Sequence, residues 1–227
     1  MEVEYDTERW TILAEKREKA RRIILALTRS IQPDLIVVHG SVARGDVTQH
    51  SDVDIAIVEP VAPGIVEEVL RASGIPPYKK MVIQATPRST PKAYFILKPD
   101  ESEVVSVPLS RLQPREREFY AWGGEANIRD LMQGKRVPGV SKELKLIIPT
   151  EKGHVEEPVI GNEGRTASIL NISQETVMER VRILTRRREH GKTGVYMKVE
   201  VPSDEPVEYV VRELLKRNKH FRRALQP

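Results

Sequence analysis

Asp52 and Asp54, one residue apart at the head of the apolar run VDIAIV (53–58), are the residues of this chain best suited to chemistry. In a strand, residues i and i+2 share a face. The two carboxylates therefore stand side by side and repel unless a cation neutralises them. Oxygen donors in a chain with no cysteine favour Mg2+ or Mn2+ over zinc. Upstream, Gly40 and Ser41 follow another apolar run, DLIVVH (34–39). Glycine lets a backbone approach a ligand closely. A helix starting near Val42 would aim its free N–H groups at the same point, where phosphate binds. The Ser41 hydroxyl adds a donor, and Arg44 adds positive charge. Phosphoryl-type transfer uses this combination of cation cradle and phosphate cradle.

The stretch Gly40-Ser41-Val42-Ala43-Arg44-Gly45, a five-residue spacer, then Ser51-Asp52-Val53-Asp54 and an apolar strand resembles the signature of the DNA polymerase beta nucleotidyltransferase superfamily, its minimal members most closely. The resemblance is clear over residues 34–58, and the order of elements is compatible with it to about residue 110. It implies transfer of a nucleoside monophosphate from a nucleoside triphosphate, ATP foremost, to an acceptor hydroxyl or phosphate, with release of pyrophosphate. Carried over residue by residue, Asp52 and Asp54 are the catalytic and metal-binding pair, and Gly40, Ser41, Arg44 and Ser51 bind the nucleotide. Members of the family usually add a third carboxylate from a later strand. The run YKKMVIQAT (78–86) offers Gln84 where that acid is expected, and glutamine cannot take a proton. Asp100, Glu101 and Glu103 fall at a hairpin and read as an exposed turn, and Glu116 and Glu118 fall on a helix where surface pairing with Arg115 or Arg117 is expected. The runner-up reading keeps the fold without efficient catalysis, as a nucleic-acid-binding regulator or an antitoxin-like module that acts on a partner protein.

The elements that position these residues follow from periodicity. An amphipathic helix is predicted over 6–29, with Pro33 beyond its end. Short apolar runs predict strands at 34–39, 53–58 and 78–86, and a hairpin at 92–98 and 103–109. Helices are predicted at 64–73, 114–122, about 125–133, 162–170, 174–189 and 206–219. Residues 144–160 read as extended, and VYMKVEV (195–201) as an alternating strand. The Gly- and Pro-rich stretch GKRVPGVS (134–141) reads as a linker. The expected architecture is α/β (α+β): a mixed sheet flanked by helices over residues 1–138, and a small winged helix-turn-helix-like domain over 139–227. The whole chain also resembles archaeal-type nucleotidyltransferases that carry such a C-terminal region.

Charge supports a division of labour. Residues 1–140 hold 20 Lys+Arg and 20 Asp+Glu, whereas residues 141–227 hold 17 and 13, so the net charge of +4 lies in the C-terminal part. On the helix 174–189, Val177, Val181 and Leu184 face a core, and Glu175, Met178, Arg182 and Arg186 face outward. Arg182, Arg186, Arg187 and Lys192 are the candidate nucleic-acid contacts, phosphate first. Glu175 and Glu179 oppose that role, and a protein-binding or packing role is the alternative. The basic tail (Lys216, Arg217, Lys219, Arg222, Arg223) reads as an RNA contact or as a solvated helix end. The acceptor is an RNA end, a protein or a small molecule. No apolar run reaches the length of a membrane helix and the N-terminus is polar, so a cytoplasmic protein that does not enter membranes is expected.

Overall fold

The apolar runs and their caps assemble in a computed structural model that describes residues 1–191 and 194–225. Strand β1 (Glu2–Glu4) leads to helix α1 (Thr7–Leu27), whose first turn is closed by the Asp6 carboxylate accepting from the Arg9 N–H at 2.8 Å. Then follow β2 (Ile36–His39), the single turn α2 (Ser41–Arg44), β3 (Val53–Ile57), α3 (Pro63–Ala72), β4 (Lys79–Gln84), β5 (Lys92–Ile96) and β6 (Glu103–Pro108). Helix α4 (Pro114–Gly123), β7 (Glu125–Ala126), α5 (Ile128–Met132), β8 (Gly139–Val140), β9 (Lys145–Thr150) and β10 (Gly153–Pro158) come next. The chain continues as α6 (Glu163–Leu170), α7 (Gln174–His190), β11 (Met197–Val201), α8 (Val207–Arg217) and α9 (Lys219–Leu225).

A seven-stranded mixed sheet runs in the order β11-β4-β5-β6-β3-β2-β7, in which only β3 and β6 pair in parallel. Pleating puts Val53, Ile55 and Ile57 on the face that α1 covers, within the main core. The opposite face carries Asp54 and Ala56, and α4 covers its β2 end through Tyr120 and Phe119. A second sheet, β1-β10-β9-β8, packs with α6 and α7 around Trp122, Leu146, Leu170 and Val177. Val181 and Leu184 pack on this cluster, so the inward stripe expected for α7 is the one observed.

The expected division at 138/139 is crossed in both directions. Strand β1 pairs with β10, Glu2 opposite Val155, so the N-terminus belongs to the second sheet. Strand β11, read from sequence as a wing, pairs with β4, Met197 opposite Gln84, and is an edge of the large sheet. The physical reason is its alternation: Met197, Val199 and Val201 turn one apolar face to the main core. Phe221 of α9 is fully buried in that same core. Helices α6 and α7 are joined by a tight turn, with Asn171 at φ 50°.

The segment 134–141 is no free linker either. Arg136 donates to the carbonyls of Gly153 (2.8 Å) and Thr150, and its guanidinium lies 4.8 Å over the Trp10 ring. Arg17 donates to the carbonyls of Gly134 and Lys135. A Cβ on Gly139 would lie 2.4 Å from the Gly124 nitrogen, so glycine there permits backbone-on-backbone packing. The predicted helix at 125–133 is β7 followed by the short α5, whose first turn is closed by Asn127 and Asp130 accepting each other's backbone N–H.

Candidate active site

Strands β2 and β3 are antiparallel neighbours, with His39 directly opposite Asp54. The chain leaving β2 at Gly40-Ser41 therefore emerges at the same end of the sheet where Asp52 and Asp54 begin β3. Gly40 has φ 83°, a conformation that favours glycine, and a Cβ there would meet nothing within 4 Å. The N–H groups of Ala43 and Arg44 return to the Gly40 carbonyl. Those of Ser41 and Val42, first in the turn, have no helical acceptor. The sequence-predicted pairs, Gly40/Ser41 and Asp52/Asp54, are thus brought together on adjacent strand ends.

Asp52 is exposed, while Asp54 is crowded by protein on most sides yet reaches the surface. Burial, then the negative charge of Asp52, pushes the Asp54 carboxyl up to about 6. Lys142, in the turn between β8 and β9, acts the other way and lowers it. This lysine comes from the second sheet, and no local sequence signal marks it. His39 packs edge-on against Tyr120 and Phe119, with centroids 5.1 and 6.0 Å apart. Burial foremost, then the charges of Lys92 and Arg44, holds its imidazole down at about 4, so it is neutral at pH 7. Tyr94 on β5 faces the same side of the sheet, opposite Ser106, and burial raises its phenol. Lys92 donates to the Tyr120 hydroxyl at 2.8 Å, deeper on that face.

Two residues expected at the nucleotide make contacts within the protein. Arg44 is 6% exposed, and its guanidinium donates to both Asp46 carboxylate oxygens (2.9 and 2.8 Å) and to the carbonyls of Gly123 and Val140 (2.6 and 3.3 Å). It ties α2 to the end of α4 and to β8, and offers no cation to a phosphate. The Ser51 hydroxyl oxygen accepts from the Thr48 N–H at 2.9 Å and shapes the turn that delivers Asp52. Its proton remains available to a ligand.

The place sought for a third carboxylate is also resolved. Gln84 lies on β4, away from β3, on the core face, where its amide donates to the carbonyls of Pro87 and Ser89. The strand beside β3 is β6, and its register puts Val104 next to Asp54. Glu103 points to the opposite face, 3% exposed and 3.8 Å from Arg22. Asp100 accepts from the Ser102 N–H and hydroxyl. Glu116 accepts from Thr90 and Gln113, and Glu118 from Ser173 and Thr176. Their expected partners pair elsewhere, Arg115 with Glu179 and Arg117 with Glu125. Among the described residues no group of three or more His, Cys, Asp or Glu is arranged to hold a metal ion.

The candidate nucleic-acid residues Arg182, Arg186 and Arg187 lie exposed on α7, and Lys192 lies outside the described residues. The basic tail is engaged locally: Lys216 and Arg217 pair with Glu213, and Arg222 donates to the Leu215 and Lys216 carbonyls. No helix among the described residues is long and apolar enough to cross a membrane. A comparison with protein-family models matches residues 18–100 to a nucleotidyltransferase domain. No curated protein and no solved structure matches the chain.

Proposed function

We propose that the chain, whose residues 18–100 match a nucleotidyltransferase domain, is a Mg2+-dependent enzyme of the DNA polymerase beta-like superfamily that moves a nucleoside monophosphate from a nucleoside triphosphate, ATP first to be tested, to an acceptor hydroxyl. The observation that carries this reading is the register of β2 on β3, which sets Gly40-Ser41 beside Asp52 and Asp54.

The residues fit one divalent cation. The Asp52 charge adds to the cost of ionising Asp54, and Lys142 offsets it only in part. Asp52 and Asp54 would hold the ion; Mn2+ suits the same oxygen donors. A bound cation supplies charge neutralisation and Lewis acidity to phosphate oxygens. The backbone N–H groups of Ser41 and Val42 and the Ser41 hydroxyl bind phosphate oxygens, and Gly40 lets them approach. Lys142 reaches from the second sheet to balance the triphosphate's charge. His39 stays neutral and acts only through hydrogen bonding and packing. With Val104 beside Asp54, no carboxylate on β6 takes the acceptor's proton, so turnover is slow.

Incubating the protein with Mg2+, α-labelled nucleoside triphosphates and cell extract tests the reading. Label should pass to an acceptor with the natural chain and be lost in Asp52→Ala and Asp54→Ala. Equal labelling by those variants defeats it. Val104 also favours a second reading, a nucleotide-binding scaffold without turnover. In that case the nucleotide binds with the cation and no label ever transfers.

A further inference from the structure

Helix α7 turns one stripe inward and presents another to solvent. By the 3.6-residue period, Glu175, Met178, Glu179, Arg182 and Arg186 lie on the side opposite Leu184. Met178, on this face, is 58% exposed. Met178, Arg182 and Arg186 of this face wall a groove of about 650 Å³ whose other side is Glu163 of α6. The groove is distinct from the aspartates, neither of which lines it.

Along the stripe Glu175 and Glu179 precede Arg182 and Arg186, with Glu189 at the far end. For a nucleic acid this is a poor surface, since the acids would face its phosphates. For a second α7 laid antiparallel it is a match. Place a two-fold axis between residues 180 and 181. Glu175 then faces Arg186 of the second copy, and this pair occurs twice, while Glu179 stays paired with Arg115 of its own chain at 2.8 Å. Met178 lies about 4 Å along the helix from that axis, on one flank of the stripe, so the two methionines come together beside the ion pairs.

We propose that this face of α7 is a two-fold interface with a second copy of this chain, helices antiparallel. It does not depend on the catalytic reading. One helix face buries less than the roughly 800 Å² per partner of a standard interface, so the dimer is weak. Its ion pairs lie at the rim and are screened by salt.

Sedimentation velocity over a concentration series tests it, at roughly 0.05 M and 0.5 M salt. The natural chain should associate to dimers at low salt and dissociate at high salt. Arg186→Glu sets like charges against Glu175 and should weaken the dimer at least about tenfold. The double change Glu175→Arg with Arg186→Glu restores the pairing in reversed sense and should restore the dimer. Melting curves of each variant keep misfolding apart from dissociation. The proposal is overturned if the natural chain stays monomeric throughout, or if Arg186→Glu dimerises as well as the natural chain. It is equally overturned if the natural chain is monomeric and captures a single-stranded oligonucleotide that Arg186→Glu releases.

Discussion

Asp54 is a residue whose ionisation opposes folding. Its carboxyl is raised from 3.8 to about 6 in the fold. A raised folded value gives stability that is complete below the unfolded pKa and is lost as pH climbs through about 6. Asp54→Asn removes that penalty. It should raise the melting stability of the cation-free protein by about 3 kcal/mol at pH 8, with the gain shrinking to nothing near pH 4. Thermal melts at the two pH values check the sign, and an equal gain at both would contradict it. The neighbouring Val104 makes a second prediction. Val104→Asp places a carboxylate beside Asp54 in register and should tighten Mg2+ binding several-fold, read by calorimetry. Unchanged affinity would mean that this position does not face the ion. The paired aspartates and Gly40-Ser41 were legible because both halves of their chemistry sit in one short stretch of sequence. Lys142 and Val104 were not, because nothing local reveals which strand lies beside β3. Arg44 was misread since a cation near a phosphate site and a cation buried against Asp46 have the same local sequence.

Most helices and strands were readable one by one, from period and caps. What the sequence did not reveal was how α4 holds the two sheets together. On one side Tyr120 and Phe119 close over the Asp54 face of the large sheet near His39. On the other side Trp122 enters the second core, and Arg180 of α7 lies 4.8 Å over the Phe119 ring. Glu118 accepts from the Ser173 N–H and hydroxyl and from the Thr176 hydroxyl at the start of α7. These bonds hold Glu118 below the usual carboxylate range, against the opposing effect of burial. Sequence reading gave Glu118 a surface pair with a neighbouring arginine, since partners 55 residues away leave no periodic trace. Glu118→Ala should cost about 1–2 kcal/mol by removing this second cap of α7. Denaturant unfolding measures it, and a change under a few tenths would show that Ser173 caps the helix unaided.

At the scale of the whole molecule, the two ends of the chain are exchanged between the two sheets. Strand β1 lies in the second sheet, while β11, α8 and Phe221 complete the first. The linker reading of 134–141 rested on glycine and proline, which mark turns well and say nothing about long-range pairing. A fragment of residues 1–138 loses β11, α8 and α9 from its core, and leaves β1 without a partner. It should fail to melt cooperatively, as circular dichroism would report; a sharp transition matching the full chain would mean that the crossing is dispensable. The joining of the sheets also brings Lys142 to the aspartates, so the proposed nucleotide site draws on both. Calorimetric binding of ATP with and without Mg2+, for the natural chain and for Asp52→Asn with Asp54→Asn, tests that site most directly. The account predicts binding at least about tenfold tighter with Mg2+ in the natural chain alone. Binding indifferent to Mg2+, or equally tight in the variant, would contradict it.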